Sequence, residues 1–155
     1  MSKAKIVSII LYSIVTFITA GTGLKFITAS EYFTYHAQAS GMDWTQVNPG
    51  LQLLMLAGFK IVGAGFLTVA FCLIFMIISP FSRHDQRWSY FAIPLSGLLL
   101  WSIIFITTLS VAFTTGANAP WGGSLFCIIT LLLGFIVSLL ASAAKKNNEN
   151  KEELK

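Results

Sequence analysis

The sequence predicts an all-α, polytopic membrane protein: four transmembrane helices in a compact bundle, with a short interfacial helix in the first outer loop. Three observations lead there. Apolar residues make up 55% of the chain and charged residues 10%, whereas soluble domains carry about 25% charged residues. Mean hydropathy is +0.77. Four apolar runs, 6–23, 51–79, 90–115 and 122–144, each reach the length that crosses a bilayer, roughly 18 residues or more. With their links these runs occupy 1–144 as one transmembrane domain, and 145–155 remains as a charged tail.

The first run follows Lys3 and Lys5 in the manner of a signal peptide. Its apolar core exceeds the usual h-region of about 7–15 residues and no A-x-A-like site follows, so it reads as a retained helix. Lys25 then falls at the outer interface. The segment "TASEYFTYHAQASGMDWTQVNPG" is the one long loop. Ser30 suits the cap of a short helix and Gly41 its left-handed end. Tyr32, Phe33, Tyr35 and Trp44 favour the headgroup level, which lays this helix along the membrane face. Asn48 and Pro49 open the second long helix as cap and first residue. Pro80 in "SPFSRHDQRW" is its stop signal. The third helix carries Pro94 about one turn in, where a bend is expected. "GANAPWGG" forms a tight outer loop, with Pro120 in the first turn of the last helix and Trp121 at the interface. The tail "KKNNENKEELK" has no apolar periodicity and reads as mobile.

Charge sets orientation. Lys3, Lys5, Arg83, Arg87, Lys145, Lys146, Lys151 and Lys155 fall on one side if four helices alternate, and only Lys25 and Lys60 fall toward the other. Positive residues accumulate in the cytoplasm, so both termini are expected there, in a bacterial cytoplasmic membrane. The net charge of +4 is therefore an orientation signal, and no nucleic-acid partner is expected.

In lipid, helices associate through small and hydroxyl residues. The last helix places Thr130, Gly134, Ser138 and Ser142 four apart, and the first brings Ser8, Tyr12, Thr16, Ala20 and Gly23 near one stripe. On the second, Lys60, Ala64, Thr68 and Cys72 share a stripe, which directs Lys60 toward neighbouring helices. About twenty residues back from Pro80 is one bilayer thickness and reaches Lys60. Lys60 then sits near the outer boundary, level with Lys25, where it can snorkel to water. Cys72 and Cys127 differ in depth by roughly 10 Å, too far for a disulfide, and read as small packing residues.

The candidate ligand-binding residues gather at the outer end: Lys60, His36, Tyr35, Lys25, Trp121, Glu31 and Asp43. Lysines, an imidazole, carboxylates and aromatic rings around a membrane pocket suit a polar headgroup on an apolar body. No catalytic residue is assigned. His84 and Asp85 are too few for a metal site, and no cofactor motif is present.

The stretch "YHAQASGMDWTQVNPGLQLLMLAGFKIVGAGFLTVAF", with "SPFSRHDQRW" and a late "APW", resembles a group of small uncharacterised four-helix integral membrane proteins of bacteria. Their architecture is similar to that of DoxX-like proteins and, more distantly, to EXPERA-type sterol-isomerase bundles. The resemblance implies a four-helix fold and no established activity. The leading expectation is a non-enzymatic membrane protein with an outward pocket for a lipid or small amphiphile. Two other classes stay open. One is a small enzyme acting on lipid or quinone through His36 or Glu31. The other is an accessory subunit of a larger membrane complex, or a homo-oligomer.

Overall fold

A computed structural model describes residues 3–83, 86 and 88–153, with side chains for all of these but 80 and 144–153. His84, Asp85, Arg87 and Lys155, which the sequence reading gives to the inner loop and tail, lie outside the described residues. The elements are α1 (Lys3–Ile27), α2 (Thr34–Ser40), a 3₁₀ turn (Trp44–Gln46), α3 (Pro49–Met76), α4 (Ser89–Thr115) and α5 (Trp121–Glu153). Lys3–Ile27, Pro49–Arg83, Ser89–Thr115 and Trp121–Ala143 are each long and apolar enough to cross a membrane. Among the described residues there is no strand. The chain is thus an all-helical, multi-pass membrane bundle.

Local chemistry fixes most element ends. Asn48 caps α3, its Oδ1 accepting the Gly50 N–H at 2.8 Å, and Pro49 takes the first helical position. Gly41 ends α2 at φ 67°, a conformation open to glycine at little cost, and its N–H donates to the Ala37 carbonyl at 2.9 Å.

Two expectations are corrected. Ser30 does not cap α2, which starts at Thr34 after Phe33; the Phe33 N–H instead donates to His36 Nδ1 at 3.2 Å. Pro80 does not stop the second span. Past Met76 the backbone widens into a π-helical segment over Ile77–Arg83, because a proline lacks the N–H that an α-helical ladder requires. At the other end of the chain, α5 runs on to Glu153. Lys and Glu are good helix formers, and extending an existing helix needs no new nucleus.

Around the bundle the helices follow the order α3, α1, α5, α4, with α3 and α4 in lighter contact. Two close approaches set this order. At the loop end, where 28–48 and 116–120 lie, α1 crosses α3 backbone to backbone. A Cβ added to Gly63 would stand 2.7 Å from the Gly23 carbonyl oxygen. Toward the end that carries the N-terminus, α1 meets α5, and a Cβ on Gly134 would stand 2.8 Å from the Tyr12 ring. Tyr12 also donates its hydroxyl to Ser138 Oγ at 3.4 Å. The small-residue stripes expected on the first and last helices are therefore packing faces, with Ser8, Thr16, Thr130 and Ser138 buried.

The N-terminal end is closed by aromatic packing. Phe81, on the π-helical segment, is fully buried, with its ring centroid 5.8 Å from Tyr12 and 4.8 Å from Tyr90. Lys5 Nζ lies 5.4 Å from the Phe81 ring centre. Elsewhere Leu, Ile and Phe side chains stand exposed along all four long helices, among them Phe17, Leu53, Leu99 and Leu140. Such a surface suits hydrocarbon rather than water.

Candidate functional site

At the loop end the helices part and enclose a cavity of about 540 Å³, within the range of small-ligand pockets, roughly 300–1,000 Å³. Each wall follows from helical spacing. Ile18, Thr22 and Lys25 recur along one side of α1. Phe59, Val62 and Phe66 do so on α3, and Trp101, Ile104 and Thr108 on α4. Phe33 and Tyr35, at the start of α2, line it from the loop. The opening of α5 contributes Gly123, Ser124 and Phe126.

Trp101 forms the floor. It is 4% exposed, donates its Nε1–H to Thr19 Oγ1 at 3.2 Å, and meets the Phe66 ring edge-on at 5.9 Å. Thr19 in turn donates to the Val15 carbonyl at 2.8 Å, so the floor's polar atoms are satisfied internally. Nearer the loops, Phe26 contacts Phe33 and Phe59 edge-on at 5.0 and 5.4 Å, while Phe33 and Phe59 stack at 5.3 Å. Lys25 Nζ rests 4.9 Å from the Phe33 ring centre, a cation–π distance. It also sits in the last turn of α1, where a cation meets the negative end of the helix dipole.

The cavity wall is apolar with a particular polar pattern. Thr22, Thr107 and Thr108 each donate the hydroxyl to the carbonyl four residues back, all at 2.8 Å. Their oxygens can then only accept. Lys25 and the Tyr35 hydroxyl can donate at the rim, and the Ser124 hydroxyl is a further polar group of the lining. Burial pushes the Tyr35 phenol above its ordinary pKa, so it stays protonated.

Of the seven residues singled out from sequence, Lys25 and Tyr35 line this cavity. His36 stands behind the wall, its ring 4.0 Å from Tyr35 and 5.3 Å from Phe59. Burial there lowers the His36 pKa, outweighing the backbone contact at Phe33. With Nδ1 accepting the Phe33 N–H, the neutral ring carries its proton on Nε2, so His36 would have to give up that bond to act as a base through Nδ1. Glu31 and Asp43 are exposed, and Asp43 opens the 3₁₀ turn, its backbone N–H donating to Gln46 Oε1 at 2.9 Å. Trp121 is 41% exposed at the start of α5 and does not line the cavity.

Lys60 is corrected in direction, not in depth. The Gly23–Gly63 crossing of antiparallel helices sets Lys60 level with Lys25 and Phe26, as the count back from Pro80 requires. Yet α3 packs through Gly63, Phe66, Ala70 and Leu73, while Lys60, Ala64, Thr68 and Cys72 are all exposed. At 100° per residue that stripe lies roughly 100° or more round from the centre of the packing face.

Phe26, Phe59, Phe66 and Trp101 are not among the residues singled out from sequence. A signal for them exists. Phe59 and Phe66 are seven apart and share one helix face, and Trp101 sits mid-span, away from the interface that tryptophan prefers. Among the described residues no cluster of His, Cys, Asp or Glu is arranged to hold a metal, and Cys72 and Cys127 are both free. Set against known proteins, the chain matches no family model, no curated protein and no solved structure.

Proposed function

We propose that this chain is an integral protein of a bacterial cytoplasmic membrane, with both termini on the cytoplasmic side, that holds a lipid or small amphiphile in the cavity at its loop end. The carrying observation is the cavity itself: about 540 Å³, walled by aromatic and aliphatic side chains, with one lysine at its rim. That pairing matches a molecule with an apolar body and a polar head. Membrane lipids are the partners such a wall would meet first. The orientation draws on Lys3 and Lys5 at the start of α1 and Arg83 at the end of the second span, which share one end of the bundle. The resemblance to small DoxX-like four-helix proteins agrees with this reading and adds no chemistry to it.

Native mass spectrometry of the protein released from mild detergent tests the cavity. Gly123 lines it, and a Cβ there meets nothing within 4 Å, so Gly123→Phe introduces a ring at the cavity with no clash at its Cβ. A bound amphiphile is expected on the wild type and absent from the variant. Equal occupancy in both would remove the cavity from the function. For topology, Thr45→Cys should react with an impermeant thiol reagent on intact cells, and Lys3→Cys only after permeabilisation, both in a background lacking Cys72 and Cys127.

A further inference from the structure

We infer that the cavity selects an anionic amphiphile, its carboxylate or phosphate at Lys25 and its chain leaving sideways into the membrane past Ile103 and Phe126. This rests on the reading of the cavity as an amphiphile site and adds to it the charge of the head and the route of the tail.

The charge follows from the lining. Among the described residues Lys25 is the one charged side chain on it, and no carboxylate shares the wall. The lysine is not loose, because Phe33 supports its ammonium from below at 4.9 Å. The three threonines have spent their protons on their own helices, which leaves Lys25 as the wall's cationic group among the described residues. A negative head therefore pairs with the Lys25 ammonium, beside the Tyr35 hydroxyl, while a neutral head gains no charge pairing there and a cationic head meets like charge.

The route follows from depth. Trp101, the floor, is hydrogen-bonded to Thr19, six residues before Lys25 on α1. Six residues of helix are about 9 Å. A lipid chain reaching the bilayer midplane extends roughly 15 Å, half the hydrocarbon thickness. Such a chain cannot end inside and must leave through a side. Ile103 and Phe126 line the cavity at 58% and 53% exposure on membrane-spanning helices, and Val62 does so at 44%; the two more exposed residues are the favoured exit toward lipid.

Trp101 supplies the readout, since at 4% exposure it is shielded from lipids around the protein. In a full-length background with Trp44, Trp88 and Trp121 changed to Phe, its fluorescence is titrated in nanodiscs against brominated chains. The probes are dibromostearate, dibrominated phosphatidylglycerol and dibrominated phosphatidylcholine. Quenching by the anionic probes is expected at lower concentration than by phosphatidylcholine. Lys25→Gln should weaken the anionic probes by roughly fivefold, the scale of one solvent-accessible ion pair, and Lys25→Arg should restore them. Lys60→Gln should change nothing. A response to dibromostearate alone would identify a free fatty acid, and one to phosphatidylglycerol a phospholipid; either supports the inference. Equal quenching by all three, unaltered by Lys25→Gln, would overturn the anionic selectivity and leave the cavity reading intact. Absence of quenching by any probe, with Trp101 still emitting as a buried indole, would overturn both.

Discussion

At the scale of single residues, two atoms' worth of space decides how closely the helices approach. A methyl at Gly63 would face the Gly23 carbonyl oxygen at 2.7 Å and the Ile27 backbone nitrogen at 2.9 Å, neither of which can rotate aside. Gly63→Ala is therefore expected to cost about 1–3 kcal/mol, as overpacking does. Gly65→Ala meets nothing within 4 Å and should be neutral or gain a few tenths from helix propensity, up to about 1 kcal/mol. Thermal unfolding in detergent compares the two. His36 makes a second residue-scale case. Its pKa is lowered from the ordinary 6.5 by burial among Tyr32, Phe33, Tyr35 and Phe59. The folded state thus binds fewer protons than the unfolded one just below that value. The stability of the loop is full above pH 6.5 and declines as pH falls toward the folded pKa. Amide-exchange protection of α2, corrected for intrinsic rates, should drop as pH falls below 6.5, and His36→Phe should flatten the response. Residues such as Asn48 and Gly41 were legible because their roles are local, written in their own side chains or lack of one. Trp101 was not, because its partner Thr19 is 82 positions away.

At the scale of elements, α3 teaches how a stripe can mislead. Ala64, Thr68 and Cys72 are small and four apart, the spacing of a packing seam, yet they face outward. Small residues cost little against lipid, so their spacing alone does not choose a face. The face is chosen by the Gly63 crossing and by the large residues Phe66, Leu73 and, past the helix end, Phe81, which fill the interior. Lys60 consequently belongs to the outer surface, and Lys60→Leu should leave stability within about 0.5 kcal/mol of wild type, as surface changes do. Chemical or thermal unfolding would reveal a larger loss if the residue packed inward. The α2 loop is an element held from two sides: Gln38 Oε1 accepts the Asn118 N–H at 2.8 Å, and Gln52 Nε2 donates to the Trp44 carbonyl at 2.7 Å. Gln38→Ala should raise amide exchange in 34–40 while leaving the long helices protected, because the lost bond joins two loops and no span.

At the scale of the whole molecule, the four spans were legible nearly to their ends, since apolar length against bilayer thickness is a property of each segment alone. The order of the helices and the cavity between them were not, because both depend on which faces meet. That is a relation between distant stretches, such as Gly23 with Gly63 or Tyr12 with Gly134. The same order bears on how the protein is made. Spans enter a membrane from the N-terminus onward, so α1 can dock on α3 as soon as the second span is in place. The neighbour on which α4 chiefly packs is α5, which is synthesised after it. During synthesis, α4 must therefore wait in the lipid without its principal partner. The side of α1 that Tyr12 presents to Gly134 stays open for as long. A chain ended at residue 116 should retain the α1–α3 pairing, readable as a crosslink between cysteines placed near 23 and 63, and should leave α4 unsecured. Made after the three spans it closes on, α5 is in this sense the clasp of the bundle, and quality control in the membrane would meet those three at their most vulnerable just before α5 arrives.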